Sequence, residues 1–208
     1  RDACETLRLN RAGEWKVIEA DVRDVDGTEF TGADLLAGGV PCPPFSMAGK
    51  QLGANDERDL FPEALRLVKE IGPRAVLLEN VRGLAAKRFD GYRSDIEQRL
   101  QDMGYETWWD LVQASEHGVS QLRPRFVLVA IQKPWATHFA WPESTEMPPE
   151  PVGRKLADLM SANGWPGARE WAKRANRIAP TVVGGSKKHG GPDLGPTRAR
   201  AAWRELGV

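Results

Sequence analysis

The sequence of 208 residues is poor in cysteine and histidine and has no long apolar run. Two cysteines, Cys4 and Cys42, argue against a disulfide scaffold and favour a reducing compartment such as the cytoplasm. The three histidines, His117, His138 and His189, are scattered, so no cluster has zinc spacing and we expect no metal site. No apolar run has the length of a membrane span and no secretory signal is recognised, so we expect no membrane partner.

The net charge of zero conceals an uneven distribution of charge along the chain. Residues 152–208 contain 11 lysines and arginines against 4 acidic residues, a net charge of +7, whereas residues 1–151 carry −7. A basic terminal segment is typical of proteins that contact a polyanion. A solvated surface without any partner is the other interpretation, and charge alone does not separate the two.

The pattern of apolar residues predicts an α/β fold. Strands are predicted over residues 15–20, 33–39, 74–79, 105–112 and 126–131. Helical spacing of apolar residues predicts helices over residues 58–71 and 92–103. Strands that alternate with helices indicate a sheet with parallel pairs and helical crossovers, while the last two strands, joined without a helix, suit an antiparallel pair.

A proline-rich stretch over residues 134–151 is typical of a linker and predicts a boundary near residue 150. The first unit would then span residues 1–150 and the second residues 151–208. Within the second unit, the run of glycine, lysine and histidine over residues 184–192 predicts a loop rather than a helix or a strand.

Three polar residues stand at or shortly after the ends of predicted apolar strands: Asp21, Cys42 and Glu79. In open α/β sheets, sites form at the carboxyl ends of the strands, so we expect these residues to meet. Cys42 stands among prolines that restrict the backbone, which makes it a candidate nucleophile. The alternatives are a structural thiol for Cys42 and a salt-bridged or helix-capping carboxylate for Glu79.

A second polar block precedes the last predicted strand. Gln121, Arg123 and Arg125 alternate along an extended segment, so their side chains should face the same way. Two guanidinium groups on one face suit the recognition of phosphate or carboxylate. An ordinary charged strand edge is the competing interpretation.

Taken in order, the blocks at residues 41–46, 79–81 and 121–125 resemble the motifs of DNA (cytosine-5-)-methyltransferases, and the resemblance covers about residues 1–135. It implies a Rossmann-like methyltransferase sheet with helices on both faces in a catalytic domain over residues 1–150. Residues 151–208 would begin a small target-recognition region. It also implies S-adenosylmethionine as cofactor and double-stranded DNA as partner, with a cognate restriction endonuclease in a restriction–modification setting.

The resemblance implies a catalytic role for four residues. Cys42 would attack carbon 6 of a flipped-out cytosine as a thiolate, which makes carbon 5 nucleophilic towards the methyl donor. Glu79 would hold the edge of the base. Arg125 would bind the carbonyl group of the base and steady Glu79, and Arg123 would support the same site.

The resemblance also implies residues that bind the cofactor and DNA. Asp21 would read the adenine amino group of the cofactor, and Val22, Pro41 and Leu60 would line its site. The residues expected at DNA lie in the loop after Cys42, in the arginine block and in the basic segment: Ser46, Lys50, Gln51, Gln121, Lys187, Lys188, Arg198 and Arg200.

The family's glycine-rich cofactor turn and its last motifs are not found in the sequence, so it resembles an internal part of such an enzyme. We therefore expect weak cofactor binding by these 208 residues alone. Two alternatives share the resemblance: a methyltransferase that modifies cytosine in RNA, and an inactive remnant that only holds nucleic acid. A thiol protease is disfavoured because no histidine is placed as an evident base for Cys42.

Overall fold

The structure, a computed structural model, describes residues 2–41, 59–144, 148–182 and 197–207. Its α-helices within these ranges are α1 (Asp2–Asn10), α2 (Phe61–Ile71), α3 (Asp90–Asp102), α4 (Lys133–Ala136), α5 (Val152–Ser161), α6 (Ala168–Arg174) and α7 (Thr197–Glu205). None of the helices described is long and apolar enough to span a bilayer.

Four strands, β1 (Leu35–Gly39), β2 (Ala75–Val81), β3 (Tyr105–Gln113) and β4 (Pro124–Gln132), form one mixed sheet in the order β1-β2-β4-β3. β1 and β2 are parallel and are joined through α2, whereas β4 is antiparallel to both β2 and β3. The predicted α/β class and the antiparallel arrangement of the last two strands are therefore confirmed.

In helix α2, the apolar residues at helical spacing are the ones that the fold buries. Its buried residues recur at helical spacing: Phe61, Ala64, Leu65, Val68 and Ile71. The first four of them join a core with residues of β2, α3 and β4. Full burial of a leucine or valine side chain contributes about 1.5–3 kcal/mol. Gly72 ends the helix in the left-handed conformation, at φ 63°, and its N–H donates to the Val68 carbonyl.

The strand predicted over residues 15–20 is wrong. These residues form no strand in the structure, and the side chains of Trp15 and Ile18 are 56% and 44% exposed. Alternating apolar residues stabilise a strand only when a neighbouring strand supplies hydrogen bonds, and no described strand pairs with this segment. Asp21 consequently does not end a strand.

A second, smaller apolar core lies in the last part of the described chain. Helices α5 and α6 contribute to it together with α7, and its buried residues are Val152, Trp171, Ala175, Ala179, Trp203 and Leu206. The two helices approach closely at Gly153, where a Cβ atom would lie 2.2 Å from the Ala172 carbonyl oxygen. The domain boundary near residue 150 stays a prediction.

Candidate active site

The carboxyl ends of the parallel strands β1 and β2 bring the first candidate residues together. Gly39 lies opposite Glu79 in the ladder, and the Val40 N–H donates to the Glu79 carbonyl at 3.3 Å. Asn80, which is 2% exposed, donates from Nδ2 to the Val40 carbonyl at 3.3 Å. Its Oδ1 accepts the Val81 N–H at 2.8 Å. The chain therefore leaves β1 towards Pro41 directly beside Glu79.

Glu79 and Arg125 form an ion pair across β2 and β4. Arg125 Nε donates to Glu79 Oε1, and Arg125 Nη1 donates to the Pro124 carbonyl at 2.9 Å. The side chains of Arg125 and Glu79 are 22% and 37% exposed, so both groups remain within reach of a ligand. A Cβ atom at Gly39 would lie 3.4 Å from Glu79 Oε2, so the glycine leaves room beside the carboxylate.

A cavity of about 490 Å³ opens between the end of β1 and α2. All four residues predicted to bind the cofactor line it: Asp21, Val22, Pro41 and Leu60. The rest of its lining comes from Leu36–Val40, from Ala64 and Leu67 of α2, and from Leu78. An apolar cavity of this size with few polar groups is typical of a small-molecule site.

Asp21 is the one ionisable residue among the described residues that line this cavity. It caps a 3-10 turn at Val22–Asp24, and its Oδ1 accepts the Arg23 N–H at 3.0 Å. Its Oδ2 pairs with Arg23 Nη1 at 3.3 Å. The carboxylate is therefore oriented by a turn rather than by the end of a strand.

Gln121 and Arg123 contact a segment of the basic region. Gln121 Oε1 accepts the Val182 N–H at 3.0 Å, and Arg123 Nη1 donates to the Val182 carbonyl at 3.3 Å. The backbones are joined as well, since the Leu122 N–H donates to the Ala179 carbonyl at 2.7 Å. The structure thus joins Gln121 and Arg123 to Val182, while Arg125 faces Glu79.

Most of the remaining predicted residues lie outside the part of the chain that the structure describes. Outside the described residues are Cys42, Ser46, Lys50, Gln51, Lys187 and Lys188. Arg200 is exposed on α7, and Arg198 lies in the same helix with its side chain outside the description. The roles assigned to all of these residues, and to the described ones, stay predictions.

Sequence reasoning missed the positions of Asn80 and Arg66. Asn80 belongs to the Glu79–Val81 block, but its structural role is seen only in the structure. Its side chain joins the end of β1 to β2 by hydrogen bonds. A polar residue that ends an apolar strand is a usable signal, because a buried amide requires hydrogen-bond partners. Arg66 gives no such signal, since charged residues are ordinary on the outer side of a helix.

Comparison with known proteins identifies the family of this chain. The family model for C-5 cytosine-specific DNA methylase matches residues 1–191. The chain belongs to this family. It is 60% identical over 210 residues to the type II methyltransferase M.NaeI from Lentzea aerocolonigenes, a match that covers 100% of this chain and 50% of the relative. It is 55% identical over 181 residues to M.NgoMIV from Neisseria gonorrhoeae, which covers 87% of this chain and 58% of the relative.

The chain thus spans about half the length of these curated relatives. Among solved structures it resembles the Entamoeba histolytica methyltransferase EhMeth, with a TM-score of 0.55 and 16% identity over 73% of this chain and 48% of that one. It also resembles DNMT2 from Spodoptera frugiperda, with a TM-score of 0.51 and 18% identity over 72% and 48% of the two chains. These likenesses agree with the predicted Rossmann-like methyltransferase fold.

Proposed function

We propose that the protein transfers a methyl group from S-adenosylmethionine to carbon 5 of cytosine in double-stranded DNA. The observation that carries this proposal is the Glu79–Arg125 ion pair, which lies at the same sheet edge as the cavity lined by Asp21, Val22 and Pro41. A carboxylate beside a guanidinium offers a hydrogen-bond acceptor and donors to the amino and carbonyl groups of one base. Family membership supports cytosine as that base.

The residues that line the cavity would fit S-adenosylmethionine, the methyl donor. The cavity lining is apolar apart from Asp21, whose carboxylate would accept from the adenine amino group while Val22, Pro41 and Leu60 pack against the ring. S-adenosylmethionine supplies the electrophilic methyl group when it is bound. Glycines at the end of β1 allow the backbone to approach a ligand closely.

The chemistry on cytosine would begin at Cys42. Its thiolate adds to carbon 6, and the negative charge that develops on the ring makes carbon 5 a nucleophile. Glu79 would favour this addition by holding the ring protonated at nitrogen 3, and Arg125 would steady both the carboxylate and the base carbonyl. Transfer of the methyl group leaves S-adenosylhomocysteine, and loss of the carbon 5 proton to solvent then expels the thiolate and restores the aromatic ring. Access to carbon 6 requires the cytosine to leave the duplex.

The setting proposed for this reaction is restriction–modification in the cytoplasm. The relatives at 60% and 55% identity are named type II methyltransferases. The partners would then be double-stranded DNA and a cognate restriction endonuclease that cuts the same site when it is unmethylated. The excess of positive charge over residues 152–208 supports contact with the DNA backbone.

The proposal is tested on the full protein with duplex DNA in which the target cytosine is replaced by 5-fluorocytosine. With S-adenosylmethionine present, we expect a covalent protein–DNA adduct, because fluorine at carbon 5 cannot leave as a proton would. The adduct should disappear in Cys42→Ala and persist in Cys4→Ala. Transfer of labelled methyl groups to transfer RNA but not to DNA would favour the RNA enzyme. DNA binding with neither adduct nor transfer would indicate a binding remnant.

A further inference from the structure

The segment that carries Asp21 and Val22 is attached to α2 by side chains rather than by a strand ladder. Arg66 Nη2 donates to the Val22 carbonyl at 3.0 Å, and Arg66 Nη1 donates to the Val25 carbonyl at 3.0 Å. Glu70 Oε2 accepts the Gly27 N–H at 2.8 Å. Val22, which lines the cavity, is therefore held directly by the side chain of a residue that does not line it.

The two side chains also hold each other. Arg66 Nη1 lies 2.7 Å from Glu70 Oε2, and Arg66 Nε donates to Glu63 Oε2 at 2.8 Å. Arg66 is thus oriented by two carboxylates one turn away on its own helix, while its fork faces the backbone of the segment. We call this set of contacts, from Arg66 and Glu70 to Val22, Val25 and Gly27, the Arg66–Glu70 clasp.

Close packing at Gly27 is an independent sign that the contact is specific. Gly27 is buried, and a Cβ atom there would lie 2.7 Å from Glu70 Oε2 and 2.8 Å from Glu70 Cβ. Any side chain at this position would displace the carboxylate that Arg66 and the Gly27 N–H share. The backbone of the segment therefore packs closely against α2 at Gly27.

Helix α2 contributes to the cavity in two ways. Ala64 and Leu67 line it directly, and Leu60 lines it just before the helix begins. Through Arg66, the same helix also holds Val22, which lines the cavity together with Asp21. A substitution of Arg66 would therefore loosen the Asp21–Val22 part of the lining from α2 without removing any residue that lines the cavity.

From this geometry we infer that Arg66, assisted by Glu70, is a positioning residue for the cofactor wall and sets the affinity for S-adenosylmethionine without contacting it. The inference rests on the proposed function for the identity of the ligand. Arg66 is suited to the task because a planar fork can bind two carbonyls and a carboxylate together. A lysine offers a single ammonium and cannot reproduce that geometry.

The test compares Arg66→Met, Arg66→Lys and a control, Arg99→Met, in the full protein. Arg99 is an exposed arginine on α3 that pairs with the exposed Asp95 at 3.9 Å, so its loss should change nothing. We expect Arg66→Met to raise the calorimetric Kd for S-adenosylmethionine by about tenfold, and Arg66→Lys to recover part of that loss. The Kd for duplex DNA, measured without cofactor, should change by less than about twofold.

Hydrogen exchange gives a readout that needs no cofactor. The Gly27 amide should exchange about tenfold faster in Arg66→Met than in the wild-type protein or in Arg99→Met, because its acceptor Glu70 loses its anchor. If the wild-type protein does not bind S-adenosylmethionine at all, the proposed function fails, and exchange at Gly27 still decides whether the clasp orders the segment.

Two results would overturn the inference: wild-type cofactor affinity in a folded Arg66→Met protein, or equal weakening of cofactor and DNA binding. Should Arg66→Met lose its cooperative thermal transition, Glu70→Gln decides instead. That variant retains an oxygen for the Gly27 N–H but loses the charge that holds Arg66. We expect a smaller rise in the cofactor Kd with an unchanged DNA Kd, and an unchanged cofactor Kd would contradict the clasp.

Discussion

The proposed base side of the candidate site, at Glu79 and Arg125, and its proposed cofactor side, at Asp21 and Val22, are held by different kinds of contact. Glu79 and Arg125 project from β2 and β4, whose antiparallel ladder is continuous from Ala75 to Val81. Asp21 and Val22 lie outside the sheet, in a segment attached to α2 through the clasp.

This difference sets how each side should respond to substitution. A ladder distributes the ordering of the backbone over many hydrogen bonds, so replacing one side chain changes the chemistry and leaves the backbone in place. A segment held by two side chains shifts when either is removed. Variants on the base side should therefore reduce turnover, whereas variants on the cofactor side should weaken binding.

The largest expected effect is at Arg125. Arg125→Leu leaves Glu79 without its partner and should lower kcat by about a hundredfold, the scale of the loss of one hydrogen-bond donor that stabilises developing charge. Arg125→Lys should recover only part of this loss, because a single ammonium group lacks the planar fork that can address the carboxylate and the base carbonyl together. Turnover is measured at saturating DNA and cofactor. An unchanged kcat together with a raised cofactor KM would break the comparison, since it would make Arg125 a cofactor residue.

Asn80 tests whether the base side also depends on a side chain that joins strands. Asn80→Leu would leave the Val40 carbonyl without this donor and the Val81 N–H without its acceptor. We expect the free energy of unfolding to fall by about 1–3 kcal/mol, measured by urea denaturation. Asn10→Ala is the matched control, since it removes one exposed hydrogen bond, to the Thr6 carbonyl at 2.8 Å. Equal effects of the two variants would mean that burial of Asn80 adds nothing.

The contact of Gln121 with Val182 is also made by a side chain, but backbone hydrogen bonds join the same two segments, so its expected effect is smaller. Gln121→Leu removes the acceptor of the Val182 N–H, whereas Gln121→Glu retains one. Exchange of the Val182 amide should accelerate by about two- to tenfold in the leucine variant alone. Equal exchange rates in the two variants would show that the segment is ordered by the backbone contacts at Leu122 and Ala179.

The spacing of apolar residues predicted most helices and strands of the sheet region correctly. Helix α2 was predicted over residues 58–71 and is observed over Phe61–Ile71, because its apolar spacing records the face that it buries. Three of the predicted strands that follow it differ from β2, β3 and β4 by at most a few residues at either end. The strand over residues 15–20 failed, because alternation at Trp15 and Ile18 does not reveal whether a pairing partner exists.

The site depends on contacts between residues distant in sequence. Those that the family motifs imply could be predicted, and the others could not. The pairing of Glu79 with Arg125 was implied by the family motifs, and the structure brings the two together. The contacts of Arg66 with Val22 and Val25 join residues 44 and 41 positions apart. No periodicity signals them, since an arginine on the outer side of a helix looks the same with or without such a partner.

The smallest expected effect is the pH dependence of the clasp. The hydrogen bond from Arg66, followed by that from the Gly27 N–H, lowers the pKa of Glu70, while burial and the nearby Asp26 oppose this. Because the pKa is lower in the folded state, the contribution of Glu70 to stability is fully present above its unfolded pKa of about 4.3 and is lost as the pH falls through the folded value.

The measurement is the difference in unfolding free energy between the wild-type protein and Glu70→Gln, followed from neutral pH to about pH 3. The difference should be constant above about pH 5 and should shrink below about pH 4, where Glu70 gains a proton and resembles the glutamine. Glu63→Gln is the control, since Glu63 also pairs with Arg66 but accepts no hydrogen bond from the Val22–Gly27 segment. Equal curves for the two variants would show that the ion pair, and not the Gly27 N–H, accounts for the stabilisation by Glu70. The cofactor side would then be held by Arg66 alone.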